Sequence, residues 1–346
     1  MGSQTRNFDP RQILEQYSAP YRPDSAQVAQ IARGFSRALV WRVETPAGPC
    51  ALRAMETASV NRHRLAGLHR LVAHVSSSGM TEVPVPIAGL DGSTFFERRG
   101  SVWQLEPWMP GSADYAAHPS DVRLRAALRS LARWHRAAAR FVARDAERAW
   151  FFSSGSGSSP GLAERAGEIA RWNDENCGLV RQRLAASPWK EFAALGREIL
   201  NHYRRAAPSV AGKLKPGLEA RVPLQPCLRD VWRDHVLFTV DKVTGLIDPH
   251  AARSDSVATD LARLLGSLVG DDRRAWNIGL EAYQEVRTLS VTELALVELF
   301  NQTAVLLAGM TWLDWYCLQG RVFEDREKII GRLREIIARL SVLASS

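Results

Sequence analysis

The sequence is poor in the features that mark several large protein classes. Its 346 residues include only four cysteines, Cys50, Cys177, Cys227 and Cys317, with neither metal-ligand spacing nor the density of a disulfide framework. No uninterrupted apolar run reaches the roughly 18 residues that cross a bilayer. The best candidate, TAVLLAGMTWLDWYCL, is broken by Asp314 and reads as a buried helix. The amino terminus, MGSQTRNFDPRQ, lacks the apolar core of a signal peptide, and Arg6 stands where a myristoylation pattern needs Ser or Thr. There is no internal repeat. A reduced, cytoplasmic protein without a membrane segment is the expectation.

What is present is ordinary globular composition, 46% hydrophobic and 24% charged, in a length that suits one large domain or two lobes sharing a cleft. The net charge of +8 and a pI near 9.7 point to anionic partners: nucleotide, phosphate or nucleic acid. Much of that charge lies in RLRAALRSLARWHRAAARFVARDAER. There Arg125, Arg129, Arg133, Arg136, Arg140, Arg144 and Arg148 recur every three or four residues. Leu124, Leu128, Leu131, His135, Ala138 and Val142 form the opposite stripe of an amphipathic helix. A solvated arginine face is favoured over a nucleic-acid footprint as the ordinary reading of such a charge run.

The first third carries strand signals. LVWRVETPAGPCALRAM reads as strand, turn at Pro46 to Pro49, strand; VPVPIAGL, STFFERRG and SVWQLEPWM add short extended segments. NRHRLAGLHRLVAHV has helical spacing at Leu65, Leu68, Val72 and Val75. Beyond about residue 120 the pattern is helical except for HVLFTVDKVTGLID, two short apolar runs around Asp241-Lys242 that fit a hairpin. FFSSGSGSSPG, residues 151–161, is the one low-complexity patch. No Gly-Lys-Ser/Thr follows it, so it reads as a flexible surface connection and not as a phosphate loop.

The chemistry concentrates around that hairpin. Asp230 lies in a polar stretch ahead of its first strand, and Asp248 ends its second, so one cleft can receive both carboxylates. One carboxylate can orient a hydroxyl while the other holds a divalent cation. The segment CLRDVWRDHVLF, followed by GLID and then by TDLARLL with Asp260, resembles the aminoglycoside phosphotransferase family. That family's loop runs His-Gly-Asp, four variable residues, Asn, strand, hairpin and Ile-Asp.

The resemblance implies an α+β, bilobal protein-kinase-like fold, with a small antiparallel-sheet N-lobe (1–105) and a mainly helical C-lobe (106–346). It implies Asp230 as the loop aspartate and Asp248 as the metal-binding one. Leu228 and Arg229 stand in place of His-Gly, and His235 in place of the metal-binding Asn. Imidazole is a poorer magnesium ligand than oxygen, and the adjacent Asp234 can supply an oxygen instead. A hydrogen-bonded core histidine is the other reading of His235.

In the amino-terminal third, ARGFSRALVWRV corresponds to the nucleotide-covering strands, with Gly34 turning and Ser36 near the phosphates. Arg53 in CALRAM takes the place of the phosphate-binding lysine; the alternative for it is a surface strand residue. The lysine's usual glutamate on the next helix is missing, and Glu56 is the nearest carboxylate. WQLEPWMPG resembles the hinge, with the Glu106 carbonyl and Trp108 amide meeting adenine and Pro107 between them; an apolar strand entering a Pro-Gly turn also explains it.

Transfer of a γ-phosphoryl group from ATP or GTP to a hydroxylated small molecule, with Mg2+ or Mn2+, is therefore the expected activity. The altered loop leaves a second reading, a pseudokinase that binds nucleotide or a partner without turnover. The aromatic run WLDWY, with Trp312, Trp315, Tyr316 and Asp314, fits core packing better than a quaternary-ammonium cage. The acceptor and the oligomeric state are not encoded in any motif.

Overall fold

The computed structural model describes residues 11–23, 28–31, 38–323 and 325–345. These form two compact units. One runs up to Phe152 and is rejoined by Arg233–Ala252; the other comprises Ser153–Trp232 and Arg253–Ser346. This division differs from the 105/106 boundary expected for the lobes. The helix after the hinge segment packs on the helix before it and on the hairpin, which draws both into the first unit.

The first unit holds α1 (Arg11–Leu14), β1 (Val28–Ile31), β2 (Leu39–Thr45), β3 (Gly48–Glu56), α2 (Arg62–Ser77), β4 (Phe96–Arg98), β5 (Ser101–Pro107) and α3 (Asp121–Ala138). The five strands make one antiparallel sheet in the order β1-β2-β3-β5-β4. Alternation along β2 buries Trp41 and Val43 and leaves Arg42 and Glu44 facing out. Trp41 stacks on Trp103 of β5 with ring centroids 5.3 Å apart, over a core that includes Ile13, Leu14 and Tyr17 from α1 and the turn after it. Asn61 caps α2 by accepting the Arg64 amide, and Leu65, Leu68, Val72 and Val75 are all buried, as their spacing predicts.

Helix α3 begins at its Ser120 cap and ends at Ala138, short of the full arginine repeat. Leu124, Leu128, Leu131, His135 and Ala138 are buried, whereas Val142, beyond the helix end, is 78% exposed. Arg129, Arg133, Arg136, Arg140, Arg144 and Arg148 are exposed, and Arg133 pairs with Glu82. The stripe is thus spread over a helix and the chain after it. Val236–Thr239 and Lys242–Leu246 form the expected hairpin, tied to the unit by Ser112, which exchanges backbone hydrogen bonds with Phe238. Gly34 and Ser36 lie outside the described residues.

The second unit is mainly helical: α4 (Pro160–Arg171), α5 (Asp174–Ala185), α6 (Lys190–Glu219), α7 (Ala258–Val269), α8 (Arg273–Gln284), α9 (Val291–Leu313) and α10 (Arg326–Leu343). Its small sheet pairs Val222–Cys227 with Arg253–Asp255 on one side and Ser154–Gly157 on the other. The Ser/Gly patch is therefore an edge strand and not a flexible connection. Gly157 permits this, since a Cβ there would sit 2.5 Å from Leu224 Cδ1.

Helices α6, α9 and α10 enclose the main core, with Ile199, Leu306, Met310, Leu313 and Leu333 fully buried. The segment Val291–Leu318 is long and apolar enough to cross a membrane by length and composition alone, which counting unbroken apolar runs did not register. It serves here as the central core helix. Tyr316 packs on Phe192 at 4.3 Å and meets Ser187 Oγ at 2.8 Å, while Arg171 takes Asp314 at 3.2 Å. Trp312 belongs to the core, and Trp315 and Tyr316, half-buried, pack against it, in line with their helical spacing.

Candidate active site

In the first unit the site grows from the register of β3 and β5. Arg53 lies opposite Gln104, and Ala51 opposite Glu106, so Arg53, Gln104 and Glu106 share one face of the sheet. The Arg53 guanidinium reaches Glu106 Oε1 at 3.2 Å and Asp248 Oδ1 at 3.6 Å. Burial works against the Arg53 charge, but Glu106 and Asp248 outweigh it and raise its pKa. The acidic partner of Arg53 thus comes from the neighbouring strand and the hairpin exit. Glu56 cannot fill that role, because three residues along a strand it points to the opposite face.

Asp248 follows the hairpin in the left-handed region, φ 59°, and the Ile247 amide just before it donates to the His235 carbonyl at 2.9 Å. Its Oδ1 faces His250 Nδ1 at 2.8 Å, and its Oδ2 lies 3.9 Å from His235 Nε2. Burial pushes the carboxyl up. The His250 hydrogen bond and the charges of Arg53, His250 and His235 prevail and hold it well below the usual carboxylate range.

The supporting shell is fixed by one amide. Gln104 Nε2 donates to Glu106 Oε2 at 2.9 Å, which turns Gln104 Oε1 toward His69 Nε2 at 3.2 Å and His250 Nε2 at 3.4 Å. His69 then accepts from Thr94 Oγ through Nδ1 at 2.7 Å, and burial, chiefly, lowers its pKa to about 4. It stays neutral and structural. Arg64 of α2 donates to the carbonyls of His250 and Ala252, at 2.5 and 3.0 Å, and holds the chain beyond Asp248.

These residues fit an anionic nucleotide and a cation. Arg53 Nε is buried without a hydrogen-bond partner among the described residues, and a phosphate oxygen would supply its acceptor. Asp248 Oδ2 and His235 Nε2, 3.9 Å apart, could supply one oxygen and one nitrogen to a divalent ion. Asp234 is half exposed, its Oδ1 3.6 Å from Arg233 Nε. The Trp108 amide is taken out of the expected donor set, because it donates to the Pro49 carbonyl at 2.9 Å in continuation of the sheet.

In the second unit Asp230 follows the strand Val222–Cys227. The Asp260 carboxylate, fully buried at the start of α7, accepts the amides of Leu228 and Arg229 at 2.6 Å each. Arg229 holds φ at 63°, a left-handed conformation suited to the glycine that the family has there and costing a side-chain residue roughly 1–2 kcal/mol. Its guanidinium pairs with Glu164 and lies 3.4 Å from Asp255. Asp255 accepts from Ser159 Oγ and the Ser256 amide, and Gly161 leaves it room, since a Cβ there would sit 2.3 Å from Asp255 Oδ2. Asp230 itself is paired, Oδ1 lying 2.9 Å from Arg263 Nη2 of α7.

Of the residues singled out from the sequence, the structure gathers Arg53 and Asp248 with His235 in the first unit and Asp230 with Asp260 in the second; His69, Gln104, His250, Arg64 and Arg263, which contact or brace them, were not singled out. His250 had a local signal, standing two residues past Asp248 where it can fold back on it. The others depend on register and helix placement.

The sequence profile of the phosphotransferase enzyme family matches residues 27–295. The homoserine kinase of Granulibacter bethesdensis is 34% identical over 92 residues, 25% of this chain and 29% of that protein, so the match spans less than a third of the relative. Amicoumacin kinase hAmiN, solved with AMP-PNP, Ca2+ and Ami, has a TM-score of 0.66 at 14% identity, covering 98% of this chain and 96% of its own. Spectinomycin phosphotransferase APH(9)-Ia, solved with ADP and spectinomycin, gives 0.62 at 14% identity and 98% of both chains. At such identities the structural likeness bears on the fold, which is the kinase-like α+β fold expected. The chain belongs to the phosphotransferase enzyme family.

Proposed function

We propose that the protein transfers the γ-phosphoryl group of ATP or GTP to the hydroxyl of a small molecule. The acceptor oxygen bonds to the γ-phosphorus, the bond to the bridging oxygen breaks, the nucleoside diphosphate leaves, and Asp230 takes the hydroxyl proton. Asp248, with His235 or Asp234 as a second ligand, would hold Mg2+ or Mn2+, which would supply charge neutralisation at the phosphates. Arg53 grips phosphate with the flat guanidinium that replaces a lysine ammonium, and the Glu106 carbonyl meets the base. We further propose that it works as a reduced, cytoplasmic enzyme, a reading supported by four free thiols.

The observation that carries this reading is Asp248, kept ionised by His250 and Arg53 although largely enclosed. With Arg53 and His250 both on Oδ1, the second carboxylate oxygen, 3.9 Å from His235 Nε2, is left for a cation. Thermal shift with ATP and GTP, with and without Mg2+ and Mn2+, followed by ADP release against a panel of hydroxylated metabolites, tests it. Metal-dependent nucleotide binding and turnover abolished by Asp230→Asn are expected. Full turnover in that variant would remove Asp230 from its role, and nucleotide binding without turnover on any acceptor would leave the pseudokinase.

A further inference from the structure

Arg263 has no counterpart among the parts that phosphoryl transfer requires. It projects from α7 to Asp230, its Nη2 lying 2.9 Å from Oδ1, and Asp230 is its one hydrogen-bond partner among the described residues. Most of its guanidinium donors are therefore unused. The side chains are 40% and 49% exposed, so the pair contributes little to stability. A second guanidinium adds to the local positive charge. Arg165 of α4 sits over the Phe300 ring at 5.1 Å and donates to Thr303 Oγ1 at 3.1 Å and the Phe300 carbonyl at 3.4 Å. Among the described residues it has no carboxylate within ion-pair distance. Burial and then the charge of Arg263 lower its pKa to about 10.

From this arrangement we infer that Arg263 determines acceptor specificity, selecting a hydroxylated acceptor that carries its own carboxylate. An acceptor hydroxyl reaching Asp230 has to share or displace Arg263. A neutral or cationic acceptor offers the unused guanidinium donors no partner. An acceptor carboxylate instead gives Arg263 a planar, bidentate partner, moving the guanidinium off Asp230 as the hydroxyl arrives. This inference rests on the phosphotransferase reading of Asp230.

The test uses acceptor pairs that differ only in the carboxylate: homoserine and 3-aminopropan-1-ol, serine and ethanolamine, 4-hydroxybutyrate and 1-propanol. ADP release and acceptor-induced thermal shift are measured on the full chain loaded with ATP or a non-hydrolysable analogue. In at least one pair the acid is expected to be preferred about tenfold or more in kcat/KM, the scale of one charge-assisted hydrogen bond. Arg263→Gln should bring that ratio toward one, mainly through KM, and Arg263→Lys should keep part of it. If nucleotide binds and no acid reacts or protects better than its decarboxylated partner, the inference falls while the phosphotransferase reading stands. A preference that Arg263→Gln leaves unchanged also overturns it. Absence of both nucleotide binding and ADP release overturns the underlying reading instead.

Discussion

His250 Nδ1 lies 2.8 Å from Asp248 Oδ1, and its other ring nitrogen faces the Gln104 carbonyl oxygen. This contact orients the carboxylate proposed to hold the cation and helps keep it ionised. Replacing His250 with Ala should weaken the metal-dependent part of nucleotide binding roughly 10- to 100-fold, the usual effect of losing such a support. Asp248 should then also protonate nearer the ordinary carboxylate range, moving the acid limb of nucleotide binding to higher pH. Mg2+ and Mn2+ titrations of the nucleotide-induced thermal shift, repeated across pH, check both outcomes.

Arg53 carries a second prediction. Arg53→Met leaves Glu106 and Asp248 near each other with no cation between them and should cost about 3 kcal/mol, the scale of breaking an enclosed ion pair. Nucleotide binding should be lost as well. Arg53→Lys keeps the charge but not the fork that spans both acids, so it should be more stable than Arg53→Met and retain nucleotide binding. Urea unfolding and nucleotide titration separate the two variants.

Asp260 makes the Asp230 loop. Asp260→Ala removes the acceptor of two amides, those of Leu228 and Arg229, and should cost about 3 kcal/mol. The left-handed turn at Arg229 then loses its anchor. ADP release should fall further than nucleotide binding, because the residues around Arg53 lie in the other unit.

His69 predicts a pH dependence of stability. Its pKa of about 4 in the folded chain lies below the unfolded value near 6.5, so the unfolded state binds more protons between them. The stability it contributes is complete above pH 6.5 and is lost as pH falls toward 4, by about 2 kcal/mol between pH 7 and pH 5. His69→Gln should flatten that part of the slope. Denaturant unfolding of both proteins at the two pH values measures it.

Much of this fold was legible because it is local. The spacing of Leu65, Leu68, Val72 and Val75 specifies α2, and the alternation around Trp41 and Val43 specifies β2. The apolar runs around Asp241 specify the hairpin that delivers Asp248. The partner of Arg53 was not legible, because it depends on which residues of two distant strands stand opposite each other; strand parity alone, however, argued against Glu56. The Ser/Gly patch misled because composition reports flexibility, whereas Gly157 is there for the close approach of Leu224. Arg263 gave no signal, since an arginine on an amphipathic helix looks like any solvated charge until Asp230 is found beside it.

The arginine at position 229 has an evolutionary consequence. Glycine there would relax the backbone yet remove the cation facing Glu164 and Asp255, so a single substitution exchanges one defect for another. Loop geometry and the underlying acids are consequently locked together, and drift at 229 should be seen only in lineages where positions 164 or 255 change with it.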